Sequence, residues 1–521
     1  MDSSLIQSLK DPARYPHEVD RVELAETHIS WVLLAGQRVY KIKKPVDLGF
    51  LDFSSLERRR FFCFEELRLN RRQAPDLYLD VVSITGDPSD PVLDGPGEAI
   101  EYAVCMRRFS TSDSFDHLLA DGRLERRHIR ELAEQLADLH RRAAVAEPSS
   151  RFGRPDRVKQ PIRETLNTLP RALANRFGQN RLEHLNHWVE QRCSALEPLL
   201  QNRRQGFIRE CHGDAHMGNV TLFRGRTTLF DCIEFSEDLR WIDTINDLAF
   251  SAMDLRARGA ENLGWLLIDR YLALTGDFAG LGLLKLYMAY RALVRAKVLA
   301  LRAGQNEAGE GDNDLDPALR YLALAEHIAG EHQPAIFITM GLSGSGKSTL
   351  AERLLASRGL IRLRSDIERK RRYGLAPDQR SHSGLEQDLY SPRATQRTYD
   401  RLLALAGQVA AAGLPVLVDA TFLKRSEREA FRQLARRLDI PFMVLAMEAD
   451  EATLRRRISA RNEGGADASE ADLSVLEHQL KHHQPLACDE REQALRIDTT
   501  EALAFEKADA RLAAMLEPGR T

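Results

Sequence analysis

This chain lacks paired cysteines, long apolar runs and an excess of positive charge. Its 521 residues contain six cysteines, Cys63, Cys105, Cys193, Cys211, Cys232 and Cys488, none in C-x-x-C spacing. That excludes a zinc ribbon or a disulfide framework and leaves reduced, mostly buried thiols. No run of about 18 apolar residues occurs, and the N-terminus MDSSLIQSLKDPARYP has no basic stretch followed by an apolar one, so neither a membrane span nor a secretory leader is expected. A cytoplasmic protein follows as the expectation. There is no excess of positive charge, the net charge being −3, and aromatics make up only 7%. A nucleic-acid partner, which needs basic patches and stacking surfaces, is therefore disfavoured, and so is a membrane. What is present, 43% hydrophobic and 29% charged residues, is ordinary for soluble domains. The length implies two to four of them at roughly 100 to 200 residues each.

The most specific stretch is AIFITMGLSGSGKST, residues 335 to 349. An apolar β-branched run leads into Gly341, Gly344, Ser345, Gly346, Lys347, Ser348 and Thr349, which fit G-x-x-x-x-G-K-[ST]. Glycines in such a loop let backbone N–H groups face phosphate oxygens. Lys347 would reach the β- and γ-phosphates, and Ser348 would offer its hydroxyl to Mg²⁺. The helix expected from 347 to 358 adds the positive end of its dipole. ATP is the expected substrate of this loop.

More than 300 residues precede it. HISWVLLAGQRVYKIKKPV, residues 28 to 46, reads as two strands around an Ala35-Gly36-Gln37 turn, with Lys41 and Lys43 on one face of the second strand. Taken alone, those lysines fit solvated charge on an edge strand. Residues 53 to 72 follow with helical periodicity and carry Glu65 and Glu66. Two strands on either side of the turn-rich GDPSDPVLDGPGE complete a small sheet ending near Phe109. Helices are expected over 125 to 146, 180 to 202 and through 251 to 303.

Between the last two lies IRECHGDAHMGNVTLFRGRTTLFDCIEF, beginning at Ile208. Phosphoryl transfer needs a carboxylate near the attacking hydroxyl, and an Asn and an Asp that hold Mg²⁺ against the triphosphate. Asp214 suits the first role, and Asn219 and Asp231, separated by a short hairpin, suit the others. A strand lysine and a helix glutamate upstream would form the ion pair that sets the α- and β-phosphates. An isolated H-x-D is more often a polar turn, but here five roles occur in the order that this chemistry demands.

With HGDAHMGN at 212 to 219, residues 1 to about 330 resemble the aminoglycoside phosphotransferase and choline kinase branch of the protein-kinase-like fold. The resemblance implies a two-lobed kinase with ATP in the cleft, an N-lobe over about 1–106 and a C-lobe over about 107–330. It also implies a hinge near Met106 and Arg107, and Asp214 as base. By the family's VYKI-like strand pattern it selects Lys41 rather than Lys43, and Glu66 rather than Glu65. The family's small-molecule members phosphorylate hydroxyls on sugars, aminocyclitols or choline. The chain departs from the kinase pattern in having no glycine-rich loop between its first strands.

GQNEAGEGDNDLD, residues 304 to 316, reads as a linker or flexible loop, and the domain boundary is placed at 331 to 334. From 335 onwards strands and helices alternate, which predicts a parallel sheet with helices on both faces and ligands beyond the strands' carboxyl ends. Asp366 and Asp419 sit at such ends. Asp366 suits an acceptor-activating carboxylate, with Arg369 one helical turn on to bind a neighbouring acidic group of the substrate. Asp419 suits a carboxylate near the metal-bound water, although each aspartate also suits a helix cap. Arg457 and Arg461, four apart, would face transferring phosphates from a lid, against the plainer expectation of a solvated charged face.

Residues 335 to 500 resemble small P-loop kinases of the gluconate kinase, polynucleotide 5′-kinase and zeta-toxin grouping, through GLSGSGKST, S-D-x-x-R, VDATF and R-x-x-x-R. The whole chain resembles a bacterial fusion of a phosphotransferase-like domain, 1–330, with a P-loop domain, 331–521. The expectation is an α+β kinase-like half and a doubly wound α/β half using ATP and Mg²⁺ on small-molecule hydroxyl acceptors, sugar-like ones among them. Two alternatives stand beside it: one half binding nucleotide only to regulate the other, or 5′-end phosphorylation of nucleic acid by the P-loop half. Acceptor identity and oligomeric state are not legible in these residues.

Overall fold

The computed structural model describes residues 3–49, 51–305, 314–330, 334–379, 391–464 and 472–516. The chain divides into two compact units, residues 1–161 with 200–254, and 162–199 with 255–521.

The first unit begins with β-branched and aromatic runs broken by tight turns, a pattern that pairs neighbouring strands antiparallel. β1 (Val22–Glu26), β2 (Ser30–Ala35), β3 (Arg38–Lys43), β4 (Tyr78–Asp87), β5 (Asp90–Leu93) and β6 (Ala99–Arg107) form one sheet in the order β1-β2-β3-β6-β4-β5. β1 was not legible as a strand. β2 on one side and β6 on the other put β3 inside the sheet, with Lys41 opposite Val32 and Val104. The edge-charge expectation for its lysines therefore fails: Lys43 is wholly buried, and the side chain of Lys41 is 15% exposed. α1 (Leu56–Asn70) starts where the Ser55 hydroxyl accepts the Arg58 N–H, and it packs on β4 and β6. Buried Val39, Cys63, Leu67, Tyr78, Val104 and Met106 form the core between helix and sheet.

α2 (Arg126–Arg142) buries Ile129, Leu132, Ala133, Leu136 and Leu139 along one stripe. Beyond it, β7 (Ile208–Glu210) pairs antiparallel with β10 (Trp241–Asp243), and β8 (Val220–Phe223) forms a hairpin with β9 (Arg226–Leu229). These short ladders hold the segment between them, 211–219 and 230–240, as ordered loops.

The helix expected over 180–202 is two. α3 (Gln179–Ala195) stops at Leu196, and a new helix, Glu197–Arg203, begins with Pro198, whose missing N–H suits a first turn. α4 (Glu261–Thr275), α5 (Leu281–Gln305) and α6 (Asp316–Gly330) follow. The linker residues 306–313 and the boundary residues 331–333 lie outside the described residues.

Five parallel strands come next: β11 (Ile336–Met340), β12 (Ile361–Arg364), β13 (Val416–Asp419), β14 (Phe442–Glu448) and β15 (Ala494–Asp498), in the order β12-β13-β11-β14-β15. β11, all five residues of which are buried, lies at the centre. The chain runs first to one side of it and then to the other, so the crevice at its carboxyl end is the ligand position of a doubly wound sheet. α7 (Lys347–Arg358), α8 (Ser365–Arg372), α9 (Pro392–Ala411), α10 (Arg425–Leu438), α11 (Glu451–Gly464), α12 (Leu473–His482) and α13 (Ala504–Leu516) connect or flank the strands. Among the described residues no helix is long and apolar enough to cross a membrane. All six cysteines are free, and five are buried.

Candidate nucleotide sites

In the first unit, charges from β3, α1 and the loop after β9 converge. Lys41 Nζ lies 2.9 Å from Glu66 Oε1 and 2.6 Å from Asp231 Oδ1. Lys43 Nζ lies 2.7 Å from Glu66 Oε2 and also bonds Glu234. Glu66 is thus shared by both lysines, one on each oxygen. Glu65 turns away to Arg68 and Arg240.

Burial drives the Glu66 carboxyl upward, but the two ammonium groups outweigh it and hold it at about 2. Burial likewise disfavours the charge on Lys41, yet Asp231 and Glu66 keep it well above the ordinary lysine value. Glu234 is the weaker acid of the cluster: burial raises it, and Lys43 opposes that only in part. Two cations and three carboxylates therefore meet in a desolvated corner where each interaction is stronger than in water.

Asp231 has φ +61°, a conformation that costs energy outside glycine and persists only where its surroundings impose it. Those surroundings are specific. The Asp231 N–H donates to the Tyr78 hydroxyl at 3.1 Å, and the next N–H, of Cys232, donates to Asn70 Oδ1 at 2.9 Å. Asn70 closes α1, so one helix carries Glu66 and also fixes the loop bearing Asp231.

Asp214 is half-buried, and Asn219 donates from Nδ2 to both its backbone oxygen and its Oδ2, each at 3.0 Å. With its N–H₂ so used, the amide presents a carbonyl oxygen, the atom a divalent cation takes. His216 Nε2 stands 3.5 Å from the same Asp214 oxygen. The loop itself hangs on Asp247, which accepts the His212 N–H at 2.7 Å and the Gly213 N–H at 2.8 Å and lies 3.2 Å from His140 Nε2. Burial pushes Asp247 up, but hydrogen bonding and charge from His140 hold it at about 2. Asp254 accepts the Met217 N–H at 2.9 Å.

Met106 is buried on β6, and the residues after it, Arg107 to Ser110, line a cavity of about 390 Å³ together with Gln37, Leu222, Phe223 and Arg224. That is where the sequence places the hinge.

In the second unit the loop after β11 needs its glycines. A Cβ on Gly341 would lie 2.5 Å from the Met447 carbonyl oxygen, and one on Gly344, at φ +82°, 2.8 Å from that of Leu454. Gly346 leads into α7, whose first residues are Lys347, Ser348 and Thr349. Lys347 Nζ donates to the Leu342 carbonyl at 2.8 Å, folded back along its own loop, and the Ser343 N–H donates to Gln479 Oε1 of α12 at 2.8 Å. Asp419 is buried at the end of β13, and its Oδ2 has no hydrogen-bond partner; neither has the hydroxyl of Ser345. A buried carboxylate oxygen left unpaired at the mouth of a phosphate loop fits a cation.

Asp366 and Arg369 lie on α8, half-buried, one turn apart. Arg457 of α11 bonds the Gly344 carbonyl at 3.3 Å and the Thr499 hydroxyl and carbonyl at 2.8 and 3.0 Å, so it braces the phosphate loop from behind its backbone. The side chain of Arg461 lies outside the described residues.

Residues 113–284 match the phosphotransferase enzyme family, and residues 336–486 match an AAA domain family. Uncharacterized proteins of Mycobacterium tuberculosis and Mycobacterium bovis are 30% identical over 456 residues, 87% of this chain and 89% of theirs. The chain belongs to their family. This chain joins an aminoglycoside-phosphotransferase-like kinase domain to a P-loop kinase-like domain, and the two domain types support ATP-dependent phosphoryl transfer. Similar solved structures include a gluconokinase from Sinorhizobium meliloti, 23% identical, covering 35% of this chain and 95% of that one with a TM-score of 0.25. A choline/ethanolamine kinase family protein from Mesorhizobium loti is 16% identical, covering 63% and 95%, with a TM-score of 0.38.

Sequence reasoning set Lys43 aside in favour of Lys41, and it missed Glu234, Tyr78, Asn70, Asp247 and Asp254. Asp247 had a signal, the one charged residue in the mostly apolar stretch INDLAFSAM. Glu234, Tyr78 and Asn70 meet partners more than 150 residues away, and Asp254 one that is 37 residues away, and these had none.

Proposed function

We propose that this protein transfers the γ-phosphoryl group of ATP to hydroxyl groups of small molecules at two separate sites. The observation that carries the reading is the convergence of Lys41, Glu66 and Asp231 in the same unit as the Asp214–Asn219 loop, while a complete phosphate loop stands on a different sheet.

At the first site, Lys41 positions the α- and β-phosphates with Glu66 holding its ammonium in place, and the nucleotide base lies toward Met106. Asn219 and Asp231 would hold Mg²⁺, which supplies charge neutralisation to the transferring group. Asp214 accepts the proton of the acceptor hydroxyl as its oxygen forms the new bond to phosphorus, and the bond to the β-phosphate oxygen breaks to release ADP. At the second site the N–H groups of residues 341–349 and Lys347 receive the phosphates, with Ser348 and Asp419 as the residues that would hold Mg²⁺. Asp366 takes the acceptor proton, Arg369 binds an acidic group of the acceptor, and Arg457 keeps the loop in shape. Net charge and the scarcity of aromatics favour small molecules over nucleic acid as acceptors.

The test is incubation with γ-labelled ATP and a cell metabolite extract. Asp214→Ala should remove one set of labelled products and Lys347→Ala another, each by about 10²-fold or more. If both variants remove the same products equally, the two-site reading is wrong.

A further inference from the structure

α4 lies in sequence within the segment that matches the phosphotransferase family, yet it packs along α7, the helix that follows the phosphate loop. Three features tie it there. Gly359, at φ +65°, ends α7 without a side chain, and a Cβ there would lie 2.7 Å from the Trp265 indole of α4. Arg371 of α8 donates to the Leu272 and Ala273 carbonyls at 3.1 and 2.5 Å, satisfying the carboxyl end of α4. Arg362 of β12 forms a fork with Asp269 of α4, Nε to Oδ1 at 3.2 Å and Nη2 to Oδ2 at 2.7 Å.

The Arg362 fork reaches closest to the site. Its side chain is 5% exposed and that of Asp269 13%. The third nitrogen, Nη1, lies 3.4 Å from the carbonyl oxygen of Ser348, and Glu352 stands 3.9 Å from Nη2. β12 and β13 are paired with Arg362 opposite Leu417 and Arg364 opposite Asp419, so the guanidinium and the Asp419 carboxylate project from the same face of the sheet. Burial works against the charge on Arg362, and Asp269, followed by Asp419 and Glu352, restores it. A nearly fully buried cation thus pairs with a carboxylate from α4 and shares a sheet face with a carboxylate that a metal ion would need.

We propose that Asp269 is a positioning residue for the P-loop nucleotide site, acting through Arg362. It neutralises the guanidinium and holds it against the backbone of Ser348, leaving the Asp419 carboxylate to the cation of MgATP. Without Asp269 the buried arginine is left with Glu352, 3.9 Å from Nη2, and with Asp419, and any pairing with the latter would come at the cation's expense. A helix read by sequence as part of the other kinase domain therefore sets the electrostatics of this one. The inference rests on the phosphate loop binding MgATP.

The experiment is calorimetric titration of the full chain with ATP at several Mg²⁺ concentrations, in a Lys41→Ala background that silences the first site. Asp269→Asn should weaken MgATP binding by about 10- to 100-fold, as loss of a residue supporting metal ligands does, and should raise the Mg²⁺ concentration needed. Adding Arg362→Gln, which removes the stranded charge, should restore most of the affinity. In a Lys347→Ala background Asp269→Asn should leave the remaining binding unchanged. Thermal unfolding of each variant separates loss of fold from loss of positioning. A lowered midpoint with unaltered Mg²⁺ dependence would show that Asp269 is only structural and overturn the proposal, as would failure of the double variant to recover. A Lys41→Ala chain that binds no MgATP would instead refute the nucleotide reading of the loop, and this inference with it.

Discussion

Lys41 and Lys43 stand two residues apart on one strand and share a glutamate, yet their surroundings assign them different work. Lys41 keeps some exposure and reaches Asp231, whose side chain is 42% exposed; Lys43 is sealed between Glu66 and Glu234. Lys41→Met should lower labelling at the first site by about 10²- to 10³-fold with a small change in stability, read from γ-phosphate transfer in the Lys347→Ala background. Lys43→Met should leave the buried Glu234 carboxylate without the ammonium it bonds and Glu66 with Lys41 alone, and cost about 3–5 kcal/mol, read as a shift in the urea midpoint. If Lys43→Met leaves stability intact and Lys41→Met unfolds the chain, the roles are reversed.

The same residues set an acid response. Glu66 falls from 4.5 and Asp247 from 3.8, both to about 2, so each binds a proton less readily folded than unfolded. Their contribution is complete above the ordinary carboxylate range and is lost as pH falls toward 2, where the unfolded chain takes up protons first. Urea midpoints should therefore drop steeply between about pH 4.5 and 2, and Glu66→Gln, less stable at neutrality, should show a shallower drop. An equally steep curve in that variant would contradict the assignment.

At the scale of elements, the loop 211–219 has little secondary structure of its own, and Asp247 on the helix Thr244–Ala257 stands in for a ladder by taking two successive N–H groups. Asp247→Ala should leave those amides without an acceptor, remove the carboxylate beside His140 and let Asp214 move. A misplaced base costs turnover more than nucleotide affinity, so kcat should fall by about 10²-fold while the ATP KM changes little. A fall in ATP affinity alone would place the effect elsewhere. The hairpin turn, α1, α2 and the alternation after residue 335 were legible because each depends on local periodicity and capping. The break at Leu196 was visible only as Pro198, which a helical window tolerates near either end. The strand β1 was not, since VELAE lacks the β-branched density of its neighbours and is held by pairing with β2.

For the molecule as a whole, the near-balanced charge of −3 argues for small acceptors. A 5′-hydroxyl oligonucleotide should acquire no label, and any binding should lack the steep salt dependence that phosphate contacts impose. Labelling of the oligonucleotide that Lys347→Ala abolishes would move the P-loop site to nucleic-acid ends.

The sequence by itself determined the two domain types, because GLSGSGKST and HGDAHMGN carry their resemblance in residues a few positions apart, where spacing along the chain is already geometry. Only the tertiary structure decided which charges surround those residues. The sharing of Glu66 by two lysines, the suspension of the Asp214 loop from Asp247, and the reach of Asp269 toward the phosphate loop join segments 23 to 93 residues apart. Burial makes such long-range partners decisive, since a charge withdrawn from water must find its counterpart wherever the fold brings one.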